Sequence, residues 1–435
     1  MSLIPYTVAI AGFGTVGGAV ARSLSSGLHP SLKLTHILNR RVERKKVDWV
    51  PRTVQWTDRF EDILDSGVDV FVELIGGLSP AEEWVRRALE SGKSVVTANK
   101  QLIAHRGAEL IDLASSHGAS LRFEASVAGG IPVVRAIQEG LAGDTLTRVS
   151  GILNGTCNYI LSRMSRSDLA FGDALREART LGYAEADPSD DLDGVDARAK
   201  LAILAAIGLH RRLVVSDIPC RSISGVDGVD FAWARRLKCT IRQVSWAEVS
   251  PSGAPSVVAW VSPALVPEDS PFAAVERNQN LVVVRGDRGG DSVFGGLGSG
   301  GDPTAVAVVS DLLTVAGRRR TGGDALRLPE AVEPVRRDFV APCYFRFKIA
   351  TGSTLPAAFR ETLAEHQVAI DRTLQHPDAG SSWNAVLTLA PCQWRDLERA
   401  IGALEGLSLV ERPFHLPIID TVDSVRAERA GSAAR

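Results

Sequence analysis

Apolar residues in the first third of the chain come in short runs of two kinds. Residues 6–11, 34–38, 68–74 and 95–96 are brief, continuous and rich in branched side chains, the pattern of strands buried on both faces. Residues 16–24 and 81–91 instead carry apolar positions at helical spacing, the second run opening at Pro80. Residues 121–127 read as one more strand. Strands alternating with helices at this interval predict a parallel, doubly wound sheet whose ligand lies at the carboxyl edge of its strands.

Beyond residue 133 the pattern changes. Residues 201–209 are almost wholly apolar and predict a buried helix, with Asp193 as its N-cap and Asp196 in the first turn, where the helix dipole favours an acid. Alternation at 256–261 and 281–285 predicts an antiparallel sheet mixed with helices, and 304–313 predicts a helix. Glycine, proline and arginine dominate 316–340, as in a linker. From Cys343 the order is strand 343–350, helix 354–366, strand 367–374, strand 384–390, helix 392–404 and strand 407–413, a small βαββαβ module with its own core.

Composition bounds the function. With 435 residues, 45% hydrophobic and 23% charged, the chain can build two or three cores. A net charge of −2 gives no electrostatic reason to bind nucleic acid or an anionic membrane. No apolar stretch reaches the roughly 18 residues of a membrane span, and the start lacks the charged-then-apolar order of a signal peptide, so a cytoplasmic location is expected. The five cysteines, at 157, 220, 239, 343 and 392, are scattered with no CxxC pair, which suits a reducing compartment and argues against a zinc cluster.

The first chemical signal is GFGTVGG, in which Gly12, Gly14 and Gly17 have dinucleotide-fingerprint spacing between a strand and a helix. Glycines let backbone approach a pyrophosphate, and the helix N-terminus stabilises its charge. The next strand ends in Asn39-Arg40-Arg41, where an NAD site usually places an acid for the ribose hydroxyls. Arginines there suit a 2′-phosphate, so NADP is preferred over NAD, with a solvated basic loop as the alternative. Gly298, Gly300 and Gly301 form a second glycine-rich helix start, able to close over phosphate or nicotinamide. Between them, the strand at 95–96 runs into Thr97-Ala98-Asn99-Lys100, which places Lys100 at the carboxyl edge of the sheet. The Gly129-Gly130 turn, with Glu124 nearby, could hold a small cation or be an ordinary tight connection.

The densest signal is 182–200, GYAEADPSDDLDGVDARAK, which sets six carboxylates (Glu185, Asp187, Asp190, Asp191, Asp193, Asp196) ahead of Lys200. Asp196 and Lys200 share a helix face that continues through Ile203, Leu204 and Ile207. A lysine held on packed apolar surface loses proton affinity, which makes Lys200 a candidate proton donor. The plain alternative is a solvated pair contributing about 0.3–0.5 kcal/mol. A calcium-loop register fails, because it puts Lys200 where the bidentate glutamate belongs. Only eight residues of the chain are lysine, arginine carrying nearly all the positive charge, which hints that an ammonium able to release a proton is required here.

The motifs GFGTVGG, TANK, FEASVAGGIP, GILNGTCNYIL, the 182–200 stretch and GLGSGG, in that order across residues 6 to about 315, resemble the homoserine dehydrogenase family. Its members are NAD(P)-dependent enzymes that interconvert aspartate 4-semialdehyde and homoserine in threonine and methionine biosynthesis. The terminal βαββαβ unit is similar, with weaker motifs, to the ACT regulatory module of many members. The fold expected is α/β: a Rossmann-like domain of residues 1–133 plus about 302–330, a mixed α+β substrate and dimerisation domain of 134–301, an ACT-like domain of 341–420 and a tail of 421–435.

The resemblance implies Lys200 as the acid/base residue, with Asp196 and Lys100 as further catalytic residues, Lys100 near the nicotinamide and the reacting oxygen. It implies that Asp196 and Glu185, with Asp191 and Thr156, bind the substrate. It further implies that Gly12, Phe13, Gly14, Thr15, Val16, Gly17, Asn39, Arg40, Arg41, Thr97, Lys100, Gly182, Gly298, Ser299, Gly300 and Gly301 line the cofactor. Glu124, Val127, Gly129 and Ile131 match the family's monovalent cation site, for sodium, mostly through backbone carbonyls. A homodimer or homotetramer is expected. Threonine control at the ACT-like domain stays open, because Ala350-Thr351-Gly352-Ser353-Thr354-Leu355 lacks the acid such a turn usually carries. Two rivals remain: a phosphorylating semialdehyde dehydrogenase using Cys157 with a base such as His210, and a catalytically silent amino-acid sensor.

Overall fold

Strands apolar on both faces build the first sheet of the computed structural model, which describes residues 5–249, 256–318, 331–350, 357–375, 382–404 and 413–419. Gln55–Thr57, Leu32–Leu38, Tyr6–Ala11, Val70–Glu73, Ser94–Thr97 and Leu121–Arg122 lie side by side in that order, all parallel. Successive side chains of a strand face opposite ways. Thus Val8 and Ile10 pack under the Thr15–Ser25 and Gly301–Arg318 helices, while Ala9 and Ala11 pack toward Ala81–Glu90 and Lys100–Ser116. The strand order reverses between Tyr6–Ala11 and Val70–Glu73, the crevice where such sheets take ligands.

The strand expected over 121–127 stops at Arg122, and Glu124–Ser126 forms a 3-10 turn instead. The reason is Glu124: its carboxylate accepts the backbone N–H groups of Val134 and Arg135 at 2.8 and 2.9 Å, which draws the chain off the sheet.

The second sheet has the order Gly290–Leu297, Gln279–Gly286, Leu146–Ile152, Cys239–Val249, Val257–Pro267 and Val335–Arg336. Its pairs are antiparallel except the last. Between it and Lys100–Ser116 runs the Val195–Gly208 helix, eleven of whose fourteen residues are buried. A helix apolar on every side needs cover on both, and the two layers supply it. Its N-cap is Gly194 rather than Asp193, which ends the preceding Ser189–Leu192 turn. Gly194 is left-handed at φ +81°, and a Cβ there would come within 3.0 Å of Val261.

The segment expected to be a linker is partly structured: the helix runs on to Arg318, Val332–Glu333 pairs with Arg212–Leu213, and Val335–Arg336 joins the second sheet. The terminal module has the expected order, a four-stranded antiparallel sheet arranged Ile370–Gln375, Ser382–Gln393, Val340–Ala350, Phe414–Pro417 beside the Ala357–Glu365 and Trp394–Leu404 helices. Its last strand is Phe414–Pro417; most of the expected 407–413, and the 351–355 turn, lie outside the described residues. Buried Asp230 fastens the module to the middle of the chain, accepting from Tyr344 Oη and Arg346 Nε, each at 2.7 Å. A cavity of about 740 Å³ lies at this junction, walled by Arg221, Trp260, Phe339 and Trp394. Among the described residues no helix is long and apolar enough to cross a membrane.

Candidate active site

Two helix starts and one strand end converge on Asp196. Lys100 opens its helix directly after the Ser94–Thr97 strand, where Asn99 caps the helix by accepting the Leu102 N–H. Lys200 lies one turn beyond Asp196 on the buried helix. Lys200 Nζ donates to Asp196 Oδ2 at 2.7 Å and to the Leu153 carbonyl at 2.9 Å. Lys100 Nζ lies 3.1 Å from the other oxygen, Oδ1. One buried carboxylate therefore bridges two ammonium groups that are far apart in sequence.

Asn154 orders the acids. As N-cap of the Gly155–Ser167 helix it accepts the Cys157 N–H, and its Nδ2 donates to Asp191 Oδ1 at 2.6 Å and Asp196 Oδ2 at 2.8 Å. Burial works against the Asp196 charge, but Lys200 and Lys100 outweigh it and hold the carboxyl down at about 2. Burial likewise works to lower Lys100, and Asp196, with Asp191 and Asp190 behind it, reverses that to a net rise. Asp191 has no such ammonium of its own, so burial and the Asp196 charge push its pKa up. An ammonium has three donors, and Lys200 commits two to the protein, which leaves one for a partner in the crevice.

The remaining expected substrate residues divide. Asp191 belongs to the cluster, and the Thr156 side chain stands within hydrogen-bond reach of it while its hydroxyl donates to the Tyr183 carbonyl at 2.7 Å. Glu185 is exposed, and no described hydrogen bond or ion pair joins it to the cluster.

The glycine loop fits a dinucleotide. A Cβ on Gly17 would lie 1.9 Å from the Gly12 carbonyl, so helix and loop meet at glycine-only distance, whereas nothing lies within 4 Å of a Cβ at Gly14, the open side. Phe13 packs on Trp56 with ring centres 4.9 Å apart. Beside it Arg40, Arg41, Arg44 and Lys46 line a cavity of about 710 Å³, chemistry suited to a phosphate ester. Asn39 is tied to the loop through a long 3.5 Å bond from the Phe13 N–H. The second glycine turn reaches the first: a Cβ on Gly301 would lie 3.0 Å from Thr15 Cγ2, so two helix N-termini face one crevice. Val16 is half-buried in the first helix, Ser299 and Gly300 are exposed, and Gly182 is exposed at φ +76°. The Thr97 hydroxyl is not free, since it donates to Glu73 Oε2 at 2.5 Å.

Around the expected cation position, Glu124 donates its backbone N–H to Asp311 at 2.9 Å. Burial and the charge of Glu124 push Asp311 up to about 7, and burial raises Glu124 as well. The Ile131 carbonyl already accepts the Val133 N–H at 2.8 Å.

The rival nucleophile lacks the surroundings it needs. Cys157 is fully buried, its thiol donates to the Asp191 carbonyl at 3.1 Å, and burial with the nearby acids raises its pKa well above the ordinary range. His210 is exposed past the far end of a helix roughly 20 Å long.

Sequence reasoning missed Asn154 and the Leu153 carbonyl. Asn154 carried a usable signal, an N-cap residue directly ahead of a helical run; the Leu153 carbonyl did not.

Comparison with known proteins identifies the family. A family model described as "Homoserine dehydrogenase, NAD binding domain" matches residues 12–124, and one described as "Homoserine dehydrogenase" matches 132–313. The homoserine dehydrogenase of Mycobacterium tuberculosis is 43% identical over 424 residues, covering 94% of this chain and 96% of that one. The crystal structure of a homoserine dehydrogenase from Thiobacillus denitrificans superposes with a TM-score of 0.88 at 32% identity, covering 96% of this chain and 98% of that chain. A hyperthermophilic archaeal homoserine dehydrogenase in complex with NADPH superposes with a TM-score of 0.62 at 27% identity, covering 72% of this chain and 98% of that one. The chain belongs to the homoserine dehydrogenase family of NAD(P)-dependent oxidoreductases.

Proposed function

We propose that this chain interconverts L-aspartate 4-semialdehyde and L-homoserine with NADP(H), using Lys200 as the acid/base. The observation that carries the reading is the Lys200 ammonium, fixed by Asp196 and the Leu153 carbonyl with one hydrogen left over. Gly12 to Gly17, Asn39 to Arg41 and Gly298 to Gly301 would hold the dinucleotide, which supplies the hydride when bound. As charge develops on the aldehyde oxygen, the spare Lys200 hydrogen transfers to it, and in the reverse direction the neutral amine takes the proton from the homoserine hydroxyl. Asp196 keeps that ammonium in place, and Lys100 adds a second positive charge at the same edge. Asp191 and the exposed Glu185 offer carboxylates to the substrate's α-ammonium, Glu185 through movement of its loop. An absorbance assay with homoserine, comparing NADP with NAD, tests the assignment; no turnover with either would refute it.

A monovalent cation, sodium, at Glu124 with the Val127, Gly129 and Ile131 carbonyls would offset the two crowded buried carboxyls, Glu124 and Asp311. The half-exposed Val293 and Leu297 on the outer strand of the second sheet support assembly as a dimer or tetramer. The terminal module, read as ACT-like, is the candidate seat of threonine control. Residues 1–133 with about 302–330, 134–301 and 341–420 are taken as its three domains, acting in the cytoplasm in threonine and methionine biosynthesis.

A further inference from the structure

Lys200 shares one of its two protein acceptors with a residue from a distant strand. The Leu153 carbonyl accepts from Lys200 Nζ and from Asn280 Nδ2, each at 2.9 Å. A carbonyl oxygen has two lone pairs, so these bonds fill it. Asn280 is 1% exposed, in a strand whose neighbouring positions 281–284 are apolar and buried. Its Oδ1 is buried with no hydrogen-bond partner. A half-satisfied buried amide is less stable than a leucine of similar size in the same apolar setting, so stability does not account for it.

The other side of this amide is committed too. It fills the space where Gly298 would carry a side chain: a Cβ there would lie 2.0 Å from Asn280 Cγ. Gly298 begins the second glycine turn, whose helix start faces the first glycine loop across the crevice. The amide is therefore a solid contact between that turn and the carbonyl that aims Lys200.

We propose that Asn280 is a positioning residue that couples the Gly298–Gly301 turn to the Lys200 ammonium through the Leu153 carbonyl. Displacing the turn displaces the amide, which releases Leu153 and lets the ammonium swing toward Asp196 alone. The inference rests on Lys200 being the acid/base.

The test is Asn280→Leu in the full chain, read by thermal melting, NADPH fluorescence titration, steady-state kinetics and the solvent deuterium isotope effect on kcat. The expected result is a melting temperature at or above the parent's, with unchanged NADPH affinity and homoserine KM. The kcat should fall on the order of tenfold to a hundredfold, the cost of a misplaced catalytic group. The isotope effect should rise as proton transfer becomes limiting. Parental kcat, or a lowered kcat with an unchanged isotope effect, overturns the proposal. Should the leucine variant not fold, Asn280→Ala, which removes the donor without adding a charge, is judged by the kinetic, binding and isotope readings. A Lys200→Ala control separates the two ideas: if it turns over normally the acid/base reading fails first, and if it is inactive while Asn280→Leu behaves as the parent, only this inference fails.

Discussion

The Lys200 ammonium and the Asp196 carboxylate, one helical turn apart, lie 2.7 Å from each other with only 12% and 10% of their side chains exposed. That burial separates them from ordinary surface pairs, which contribute about 0–1 kcal/mol. Losing one partner of a buried pair strands the other charge, at a cost of about 3–5 kcal/mol. Lys100 on the second oxygen makes the arrangement a three-membered cluster, so Asp196 cannot tilt toward one lysine without leaving the other.

The cluster gives stability a signature at acid pH. The Asp196 pKa in the fold is about 2, below its ordinary 3.8, so the carboxylate's contribution is complete above about pH 4 and is lost as pH falls toward 2. That depression corresponds to roughly 2 kcal/mol. Asp196→Asn is expected to lower stability at neutral pH and to flatten its fall through this range, while cutting turnover sharply. Urea unfolding across that window checks it; parallel curves for parent and variant would contradict the assignment.

Cofactor preference should reside in Arg40 and Arg41. Replacing both with alanine removes two charge-assisted contacts to a 2′-phosphate, each about 1.5–3 kcal/mol. The KM for NADP is then expected to rise at least tenfold while that for NAD changes little. Equal effects on the two cofactors would leave these arginines as a solvated loop.

Cys157 is expected to be dispensable for chemistry. Cys157→Ala should retain kcat within about threefold, with a stability loss on the order of 1 kcal/mol for the vacated volume. Abolished turnover, with the fold intact by circular dichroism, would revive a thiol mechanism.

Much of this was legible in the chain. Glycine spacing after residues 6–11 announced the nucleotide loop because only glycine permits the Gly12–Gly17 approach, and the i, i+4 spacing placed Asp196 and Lys200 on one face. Meeting points were not legible. Nothing in sequence says that Lys100 reaches Asp196, since that depends on two helices packing side by side, or that Asn280 reaches Leu153 across strands. Local geometry also escaped where tertiary contacts overrode propensity. Asp193 is the better intrinsic cap, but Val261 leaves room only for Gly194 at the helix start. The 121–127 run has strand composition, but the Glu124 carboxylate finds backbone donors ten and eleven residues on and ends the strand early.

The most direct measurement is Lys200→Ala, assayed for NADPH oxidation with aspartate 4-semialdehyde alongside NADPH binding by fluorescence. Loss of the proton donor predicts a kcat lower by about 10²–10⁴-fold with cofactor affinity unchanged. Turnover at the parental rate would contradict the account at its root.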